Sequence, residues 1–266
     1  TLVVLAMSVK TDHIISLYDI KLITRTVVGE NVQVLDFTLK PYSEERIGFL
    51  GAHQRLKIRI KRSSKNDDET IFCFVKALPA DNLQQLEFIQ ESLAFDKEVA
   101  FYSKIVPHLS DDDRGPIWCP RCCLIKNNTL CFEDLALHGF GMRDKLFDEL
   151  HVRAALRAIA SLHASSIRTE VKLGKSLKDL HPDDFYEMIF VKEKRIHEWF
   201  TAGVSLTKFL AERMGLDASR LPETLDRLYK ALLPSETKVN VVSHGDLWAN
   251  NILFDDKLQC KLVDFQ

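Results

Sequence analysis

The spacing of apolar residues changes along this 266-residue chain, and the change separates two kinds of secondary structure. Apolar and polar residues alternate at 32–39, and short apolar segments at 55–60 and 71–77 are separated by turn-forming residues, so three strands are predicted. From about residue 148 to 233 the apolar residues instead recur at helical spacing. This order predicts an α+β fold, in which a small antiparallel sheet precedes a mainly helical part.

The same patterns, with the positions of Gly and Pro, predict the remaining elements. The first part should also contain one long helix, with room for one break. The predicted elements are that helix at 81–102, strands at 122–125 and 129–132, helices at 150–164, 185–200, 205–214 and 221–233, and strands at 239–242, 252–254 and 258–263. We therefore expect an N-lobe at 1–135, which ends in a hinge, and a C-lobe at 136–266.

The composition excludes several classes of protein. The chain has 36 Lys and Arg against 38 Asp and Glu, so it is not a polycationic nucleic-acid binder. Its first apolar segment, at 2–7, is far shorter than the roughly 20 residues that span a bilayer, and it lacks the basic start of a secretory signal. We expect a cytoplasmic protein with no nucleic-acid partner and no membrane partner.

Six cysteines could form disulfides or a zinc site. Cys119 and Cys122 have the spacing of half a zinc site, but no second close pair of Cys or His follows at a suitable distance. A chain of this length also has enough apolar residues to fold without disulfides. We predict reduced thiols near the link between the two lobes.

Two segments near the end of the chain, 243–251 and 262–266, carry the strongest chemical signal. Phosphoryl transfer needs a carboxylate near the attacking hydroxyl and oxygen ligands for Mg²⁺. Asp246, Asn251 and Asp264 supply three oxygen donors around the predicted terminal hairpin. The alternative is that Asp246 and Asn251 only form turns. The element order is typical of two-lobed kinases, which favours a phosphotransferase site, and His244 is expected to brace the loop.

Longer strings around these residues resemble the ecdysteroid kinase-like, or CHK kinase-like, family of the choline kinase and aminoglycoside phosphotransferase superfamily. The resemblance covers about 48–266. The strings are Phe74-Val-Lys76-Ala-Leu-Pro79, Phe95-Asp-Lys-Glu98-Val-Ala-Phe-Tyr102, Phe132-Glu-Asp134-Leu135, Leu162-His-Ala-Ser165 and His244-Gly-Asp-Leu-Trp-Ala-Asn-Asn-Ile-Leu-Phe254. The resemblance implies a protein kinase-like fold and transfer of phosphate from ATP, with Mg²⁺, to the hydroxyl of a small molecule. Asp246 would be the catalytic base, and Asn251 and Asp264 the metal ligands.

The resemblance also implies further helices after Gln266, so the C-lobe is expected to be incomplete at its C-terminus. Lys76 ends an apolar strand, and it fits the lysine that contacts ATP phosphates. Glu87, Glu91 and Glu98 all suit its partner by residue type, and the family string selects Glu98. The alternative is a strand-end lysine and a solvated glutamate.

Two further segments are candidates for nucleotide binding. Gly48 and Gly51, between two predicted strands, fit a loop whose amides cover phosphates, although a plain turn is an alternative. Main-chain groups of Glu133 and Leu135 lie where the family binds the adenine edge, and a simple lobe linker is the alternative.

The chemical class of the acceptor molecule is the remaining question. Acidic and basic side chains balance at 183–200, which gives no sign of a cation pocket, and aromatic residues there supply apolar area or core packing. We favour an ecdysteroid or a similar apolar alcohol. The alternatives are a choline-type or aminoglycoside-type kinase, and a nucleotide-binding pseudokinase that acts as a binding module.

Overall fold

The computed structural model describes residues 14–43, 51–62, 67–79, 82–110, 117–126, 128–144, 146–187, 190–191 and 195–265. A five-stranded antiparallel sheet has the strand order β1-β2-β3-β5-β4. Its strands are β1 (Val32–Pro41), β2 (Ala52–Arg62), β3 (Asp68–Ala77), β4 (Cys122–Lys126) and β5 (Thr129–Glu133). Each of the five strands predicted in this part of the sequence lies within one of them.

One face of the sheet packs against α1 (Leu17–Val28), a helix that the sequence analysis did not predict. Leu56 and Ile58 alternate with polar residues along β2 and are fully buried on this face. A capping box starts α1, because Ser16 accepts from the Asp19 N–H at 3.3 Å and donates its own N–H to Asp19 Oδ2 at 2.8 Å. That capping box was the available sequence signal.

The other face of the sheet carries Phe74 and Lys76 of β3. Successive side chains of a strand point to opposite faces. Cys73 and Val75 of β3 are buried on the α1 side, so Phe74 and Lys76 point to the opposite side. The Phe74 ring lies 6.4 Å from that of Phe132 on β5. Lys76 therefore faces the core that the sheet shares with the rest of the chain.

The long helix predicted at 81–102 is a series of shorter helical segments. These are α2 (Leu83–Ser92), α3 (Ala94–Ala100), a π-helical turn (Phe101–Ile105) and α4 (Val106–Leu109). Leu93 separates α2 from α3, because its backbone is left-handed with φ of 57°. α2 and α3 are therefore two separate helices.

The second half of the described chain is mainly helical and ends in a short antiparallel hairpin. Its elements are α5 (Glu149–Leu173), α6 (Leu177–Leu180), α7 (Arg195–Arg213), α8 (Leu221–Ala231), β6 (Ile252–Phe254) and β7 (Cys260–Leu262). The helix predicted at 150–164 continues to Leu173, where Gly174 ends it with φ of 63°. The arrangement confirms the predicted α+β, kinase-like two-lobed fold. The division at residue 135 stays a prediction.

The helices predicted at 185–200 and 205–214 are wrong in their bounds. Phe185 lies outside any helix, and a single helix, α7, runs from Arg195 to Arg213. Gly203 lies within α7, since a glycine in a helix costs only about 1 kcal/mol. Ser205 does not cap a second helix, because its hydroxyl donates to the Thr201 carbonyl at 2.9 Å.

The strand predicted at 239–242 is also wrong. This segment pairs with no strand in the described part of the chain, and the Val242 N–H donates instead to Ser166 Oγ of α5 at 3.2 Å. The strand predicted at 258–263 is shorter, because Leu258 has φ of 60° and belongs to the turn.

The cysteines agree with the prediction of reduced thiols. All six cysteines are free thiols. Across the described residues, no helix combines the length and the apolar character that crossing a membrane requires.

α8 has no buried residue, and Trp199 of α7 is 75% exposed.

Candidate active site

Lys76, near the end of β3, carries the central positive charge of the candidate site. Its Nζ donates to Glu98 Oε2 at 2.6 Å and also to Asp264 Oδ1. Glu98 lies on α3 and Asp264 follows β7, so these ion pairs join the sheet, a helix and the terminal hairpin. The side chains of Lys76 and Glu98 are only 6% and 2% exposed. The structure therefore brings together the proposed phosphate-binding lysine, its glutamate and a proposed metal ligand.

Neighbouring carboxylates stabilise the positive charge of Lys76. Burial lowers the pKa of a lysine, because the charged form loses its hydration. At Lys76 the Glu98 carboxylate, and then the Asp264 carboxylate, outweigh this effect and raise the pKa above its ordinary value. With both carboxylates ionised, the three side chains carry a formal charge of −1, so a further cation would be attracted here.

Gly51 contacts Lys76 directly. A Cβ added at Gly51 would lie 3.1 Å from Cγ and 3.3 Å from Cε of Lys76, which is closer than ordinary packing. Gly51 thus makes room for the aliphatic part of the lysine, a role that the sequence analysis did not predict. Gly48, the other glycine proposed for phosphate binding, lies outside the described residues.

The loop after Val242 presents the Asp246 side chain to solvent. Asn251 is buried, and its Nδ2 donates both to the Asp246 main-chain carbonyl at 2.9 Å and to Asp246 Oδ2 at 3.0 Å. One side-chain amide therefore fixes the main chain and the carboxylate of the proposed base.

His244 braces the same loop. Its Nε2 lies 2.9 Å from the Val263 carbonyl, and its Nδ1 accepts from the Asp246 N–H at 3.3 Å. The two contacts assign a neutral ring with the proton on Nε2, since Nδ1 must accept. Burial lowers the pKa of His244, against smaller opposing effects of Val263 and the nearby carboxylates. The expectation that His244 supports the loop agrees with this geometry.

Val263 connects the loop to Asp264. Its N–H donates to the Asn251 carbonyl at 3.0 Å, while its carbonyl accepts from His244. Asp264 then has a left-handed backbone with φ of 67°, which is unusual for a residue other than glycine. Phe265 is buried and stacks on Phe101 at 4.2 Å, so both neighbours of Asp264 are fixed.

The proposed hinge follows β5. Lys76 pairs with Leu130 across the sheet, which places Glu133 three residues further along the neighbouring strand. The Glu133 N–H donates to the Arg121 carbonyl at 3.0 Å, so this group is already engaged in the sheet. Leu135 is buried and begins a 3₁₀ turn, Leu135–His138. The described contacts do not join Glu133 or Leu135 directly to Lys76.

The sequence analysis did not single out three residues near these groups. Asp134, inside the hinge string, is buried and accepts hydrogen bonds from Tyr42 and Arg55. Leu247 and Trp248, directly after Asp246, are 44% and 47% exposed. A buried carboxylate and an exposed tryptophan are both unusual environments, but burial cannot be judged from one sequence.

Comparison with known proteins supplies the family. The sequence profile of the ecdysteroid kinase-like family matches residues 48–266, which is most of the chain. The chain belongs to the ecdysteroid kinase-like family. This family is part of the protein kinase-like superfamily, which confirms the resemblance noted from the sequence strings. No curated protein and no solved structure gave a significant match.

Membership of the ecdysteroid kinase-like family suggests a kinase-like phosphotransferase of small molecules, and ATP is the phosphate donor that such families generally use. Among the residues that the structure describes, no three or more His, Cys, Asp or Glu side chains are grouped to hold a metal ion. Of the two proposed metal ligands, Asn251 and Asp264, only Asp264 is one of these residue types. Mg²⁺ in phosphoryl-transfer sites is commonly held by one or two carboxylates together with substrate phosphates, so few protein ligands are needed.

Proposed function

We propose that this protein transfers the γ-phosphoryl group of ATP to the hydroxyl of a small molecule, with Mg²⁺ as the metal. One connected set of contacts carries the proposal. Lys76 is held between Glu98 and Asp264, and Val263, next to Asp264, is bonded to the loop of Asn251 and Asp246. A lysine, its glutamate, a carboxylate and an exposed second carboxylate are the groups that phosphoryl transfer requires.

Asp246 is the proposed catalytic base. Its carboxylate is exposed, so an acceptor hydroxyl can reach it, and Asn251 holds one of its oxygens in place. A positioned carboxylate can accept the hydroxyl proton as the oxygen attacks phosphorus.

Lys76 and Glu98 are the proposed phosphate-binding pair. The Lys76 ammonium keeps its charge despite burial, and Glu98 fixes its direction. A charged donor in a site of low polarity interacts strongly with phosphate oxygens. Gly51, which packs against the aliphatic part of Lys76, would assist by fixing where that chain lies.

Asn251 and Asp264 fit the proposed metal. Asn251 uses its NH₂ group for Asp246, which leaves its Oδ1 as the oxygen suited to a cation. The Lys76 ammonium already lies against Asp264, which shows that this carboxylate attracts positive charge. Bound Mg²⁺ would neutralise charge on the phosphates.

For the acceptor we propose an apolar alcohol such as an ecdysteroid. Leu247 and Trp248, the two residues that directly follow Asp246 in the chain, expose apolar surface. Apolar groups next to a base favour an acceptor that buries hydrocarbon when its hydroxyl is in place. The aromatic residues between 185 and 200 support this less directly, because Phe190 packs at 4.9 Å against Phe200 and so serves local packing.

The experiment is an ATP turnover assay with three classes of acceptor: a polyhydroxylated steroid, choline and an aminoglycoside. The phosphorylated product is detected by mass. We expect product with the steroid, none with the Asp246→Asn variant, and wild-type rates with Asp256→Asn, an exposed carboxylate in the turn of the hairpin that follows Asp246.

Two outcomes would change the proposal in different ways. Product from choline or the aminoglycoside alone would replace the apolar acceptor and keep the kinase. Binding of ATP without product from any acceptor class would favour a nucleotide-binding module.

A further inference from the structure

Asp134 lies between the last strand of the sheet and the 3₁₀ turn of the hinge, and it joins three separate segments. Its Oδ2 accepts from Arg55 Nε at 2.7 Å, and its Oδ1 accepts from the Tyr42 hydroxyl at 3.1 Å and from the Ala136 N–H at 3.2 Å. Its side chain is 0% exposed. All three contacts are within hydrogen-bond distance, so both carboxylate oxygens are engaged.

These contacts are more than a helix cap needs. The bond to Ala136 caps the 3₁₀ turn, and an aspartate can make such a bond while exposed to solvent. Burial of a carboxylate is unfavourable unless charge and hydrogen bonds compensate for the lost hydration. Arg55 supplies the charge and Tyr42 the second bond, from residues 79 and 92 positions away along the chain.

The partners of Asp134 lie at the same face of the sheet as Lys76. Arg55 is opposite Phe74 in the register of β2 and β3, and its guanidinium lies 4.7 Å from the ring of Phe72. The Tyr42 ring contacts Phe74 edge-on at 5.1 Å. Phe74 and Lys76 share one face of β3, so Tyr42 and Arg55 border the face that carries the phosphate-binding lysine.

Burial also holds the Tyr42 hydroxyl in its protonated form. Burial first, and then the Asp134 carboxylate, raise the pKa of Tyr42 to about 12. A protonated phenol is a donor, which is what the contact with Asp134 requires. The contact therefore persists over the pH range in which a kinase would be assayed.

We infer that Asp134 is a positioning residue for the nucleotide, which fixes the distance between the hinge and the β1–β2 side of the sheet. The inference rests on the proposed function, since it assumes that ATP binds between the hinge and Lys76. Asp134 would act through Tyr42 and Arg55 and through the Ala136 end of the hinge. A hinge that is fixed before ATP binds needs less ordering when the nucleotide arrives, which strengthens binding.

The test compares Asp134→Asn and Tyr42→Phe with the control Arg59→Gln. Arg59 also joins β1 to β2, through Asp36 at 2.6 Å, but this pair is exposed and lies away from the hinge. ATP binding is measured by titration of the whole protein without acceptor. The KM for ATP and kcat are measured with the best acceptor, and thermal melting reports folding.

We expect Asp134→Asn to raise the Kd and the KM for ATP about tenfold, and Tyr42→Phe about threefold, with kcat at saturating ATP changed by less than about threefold. Arg59→Gln should leave both constants within about twofold of wild type. If Asp134→Asn does not fold, Tyr42→Phe and the control still decide the question.

Other results would overturn the inference. Variants that melt earlier but bind ATP as the wild type does would show that Asp134 is purely structural. A loss in kcat alone would place Asp134 outside nucleotide binding. If the wild type binds no ATP in the titration, the proposed function and this inference both fail. If it binds ATP without turnover, the Kd values of the variants still decide whether Asp134 positions the nucleotide.

Discussion

The side-chain amide of Asn251 donates to both the main-chain carbonyl and the carboxylate of Asp246, at 2.9 and 3.0 Å. The proposed metal ligand therefore also fixes the proposed base. The main-chain carbonyl of Asn251 accepts from Val263, the residue before Asp264. A change at Asn251 would thus disturb the base and the metal site together, which makes it unsuitable for separating their roles. The predictions below use other residues.

Asp264→Asn should weaken ATP binding and the rate together. The substitution removes one of two carboxylates that hold the Lys76 ammonium, and it removes the proposed charged metal ligand. We expect the KM for Mg-ATP to rise and kcat to fall, each by about tenfold or more. Steady-state kinetics at several Mg²⁺ concentrations measure both constants, and higher Mg²⁺ should partly restore the KM. Unchanged kinetics would contradict the role of Asp264.

Glu98→Gln should destabilise the fold as well as the site. Lys76 and Glu98 are almost fully buried, and removing one partner of a buried ion pair typically costs about 3–5 kcal/mol. Asp264 still compensates part of the lysine charge, so we expect the lower end of that range. Denaturant unfolding measures the loss. Glu87→Gln, an exposed change on α2, is the control and should alter the unfolding free energy by less than about 0.5 kcal/mol.

His244 should make the protein less stable in mild acid. Its pKa is lowered in the folded protein from a value of 6.5, so the unfolded chain binds a proton more readily. The stability that the neutral ring contributes is fully present above about pH 6.5 and is lost as the pH falls through the lower folded pKa. Protonation would also place a donor at Nδ1 opposite the Asp246 N–H.

Unfolding free energies of the wild type and of His244→Gln, measured between pH 5 and pH 8, check this prediction. The wild type should lose more stability than the variant below about pH 6.5. Parallel pH profiles for the two proteins would show that His244 does not titrate as the structure indicates.

Gly51→Ala should impair phosphate binding through Lys76. The added methyl would lie 3.1 Å from Cγ of Lys76, so the lysine chain must shift. We expect a KM for ATP several-fold higher, with a small change in stability. Gly203→Ala is the matched control, because nothing lies within 4 Å of a Cβ there and the site is inside α7. The control should keep wild-type kinetics and gain about 0.5–1 kcal/mol of stability.

Sequence patterns predicted the sheet because the alternation at 32–39 reflects which side chains of β1 are partly covered, and the short apolar segment at 71–77 is typical of a buried strand. They did not predict α1, in which the exposed Leu17 and Tyr18 precede the buried Ile20 and Ile23, so the buried face does not stand out before the covering sheet is known. The prediction of a helix at 185–200 was wrong for a related reason. Helical spacing of apolar residues there does not reveal that Phe185 lies outside a helix.

The residues of the candidate site could be predicted from the sequence, but the contacts between them could not. Glu98 could be chosen over Glu87 only from the family string, because all three glutamates suit a helix. The break at Leu93 puts Glu98 on a separate helical segment, and no periodicity indicates that break. The contact of Lys76 with Asp264 joins residues 188 positions apart, and only the folded chain shows it.

Turnover by the Asp246→Asn variant tests the central claim most directly. The measurement compares ATP binding by titration, and product formation by mass, for the wild type, Asp246→Asn and the hairpin control Asp256→Asn. The hydrogen bonds of Asp246 run to Asn251 and His244 within its own loop, so ATP affinity should stay within a few-fold of wild type. We predict that product formation by Asp246→Asn falls at least about 100-fold while both other proteins turn over. Equal turnover by Asp246→Asn and wild type would contradict the assignment of Asp246 as the base and, with it, the proposed phosphotransferase site.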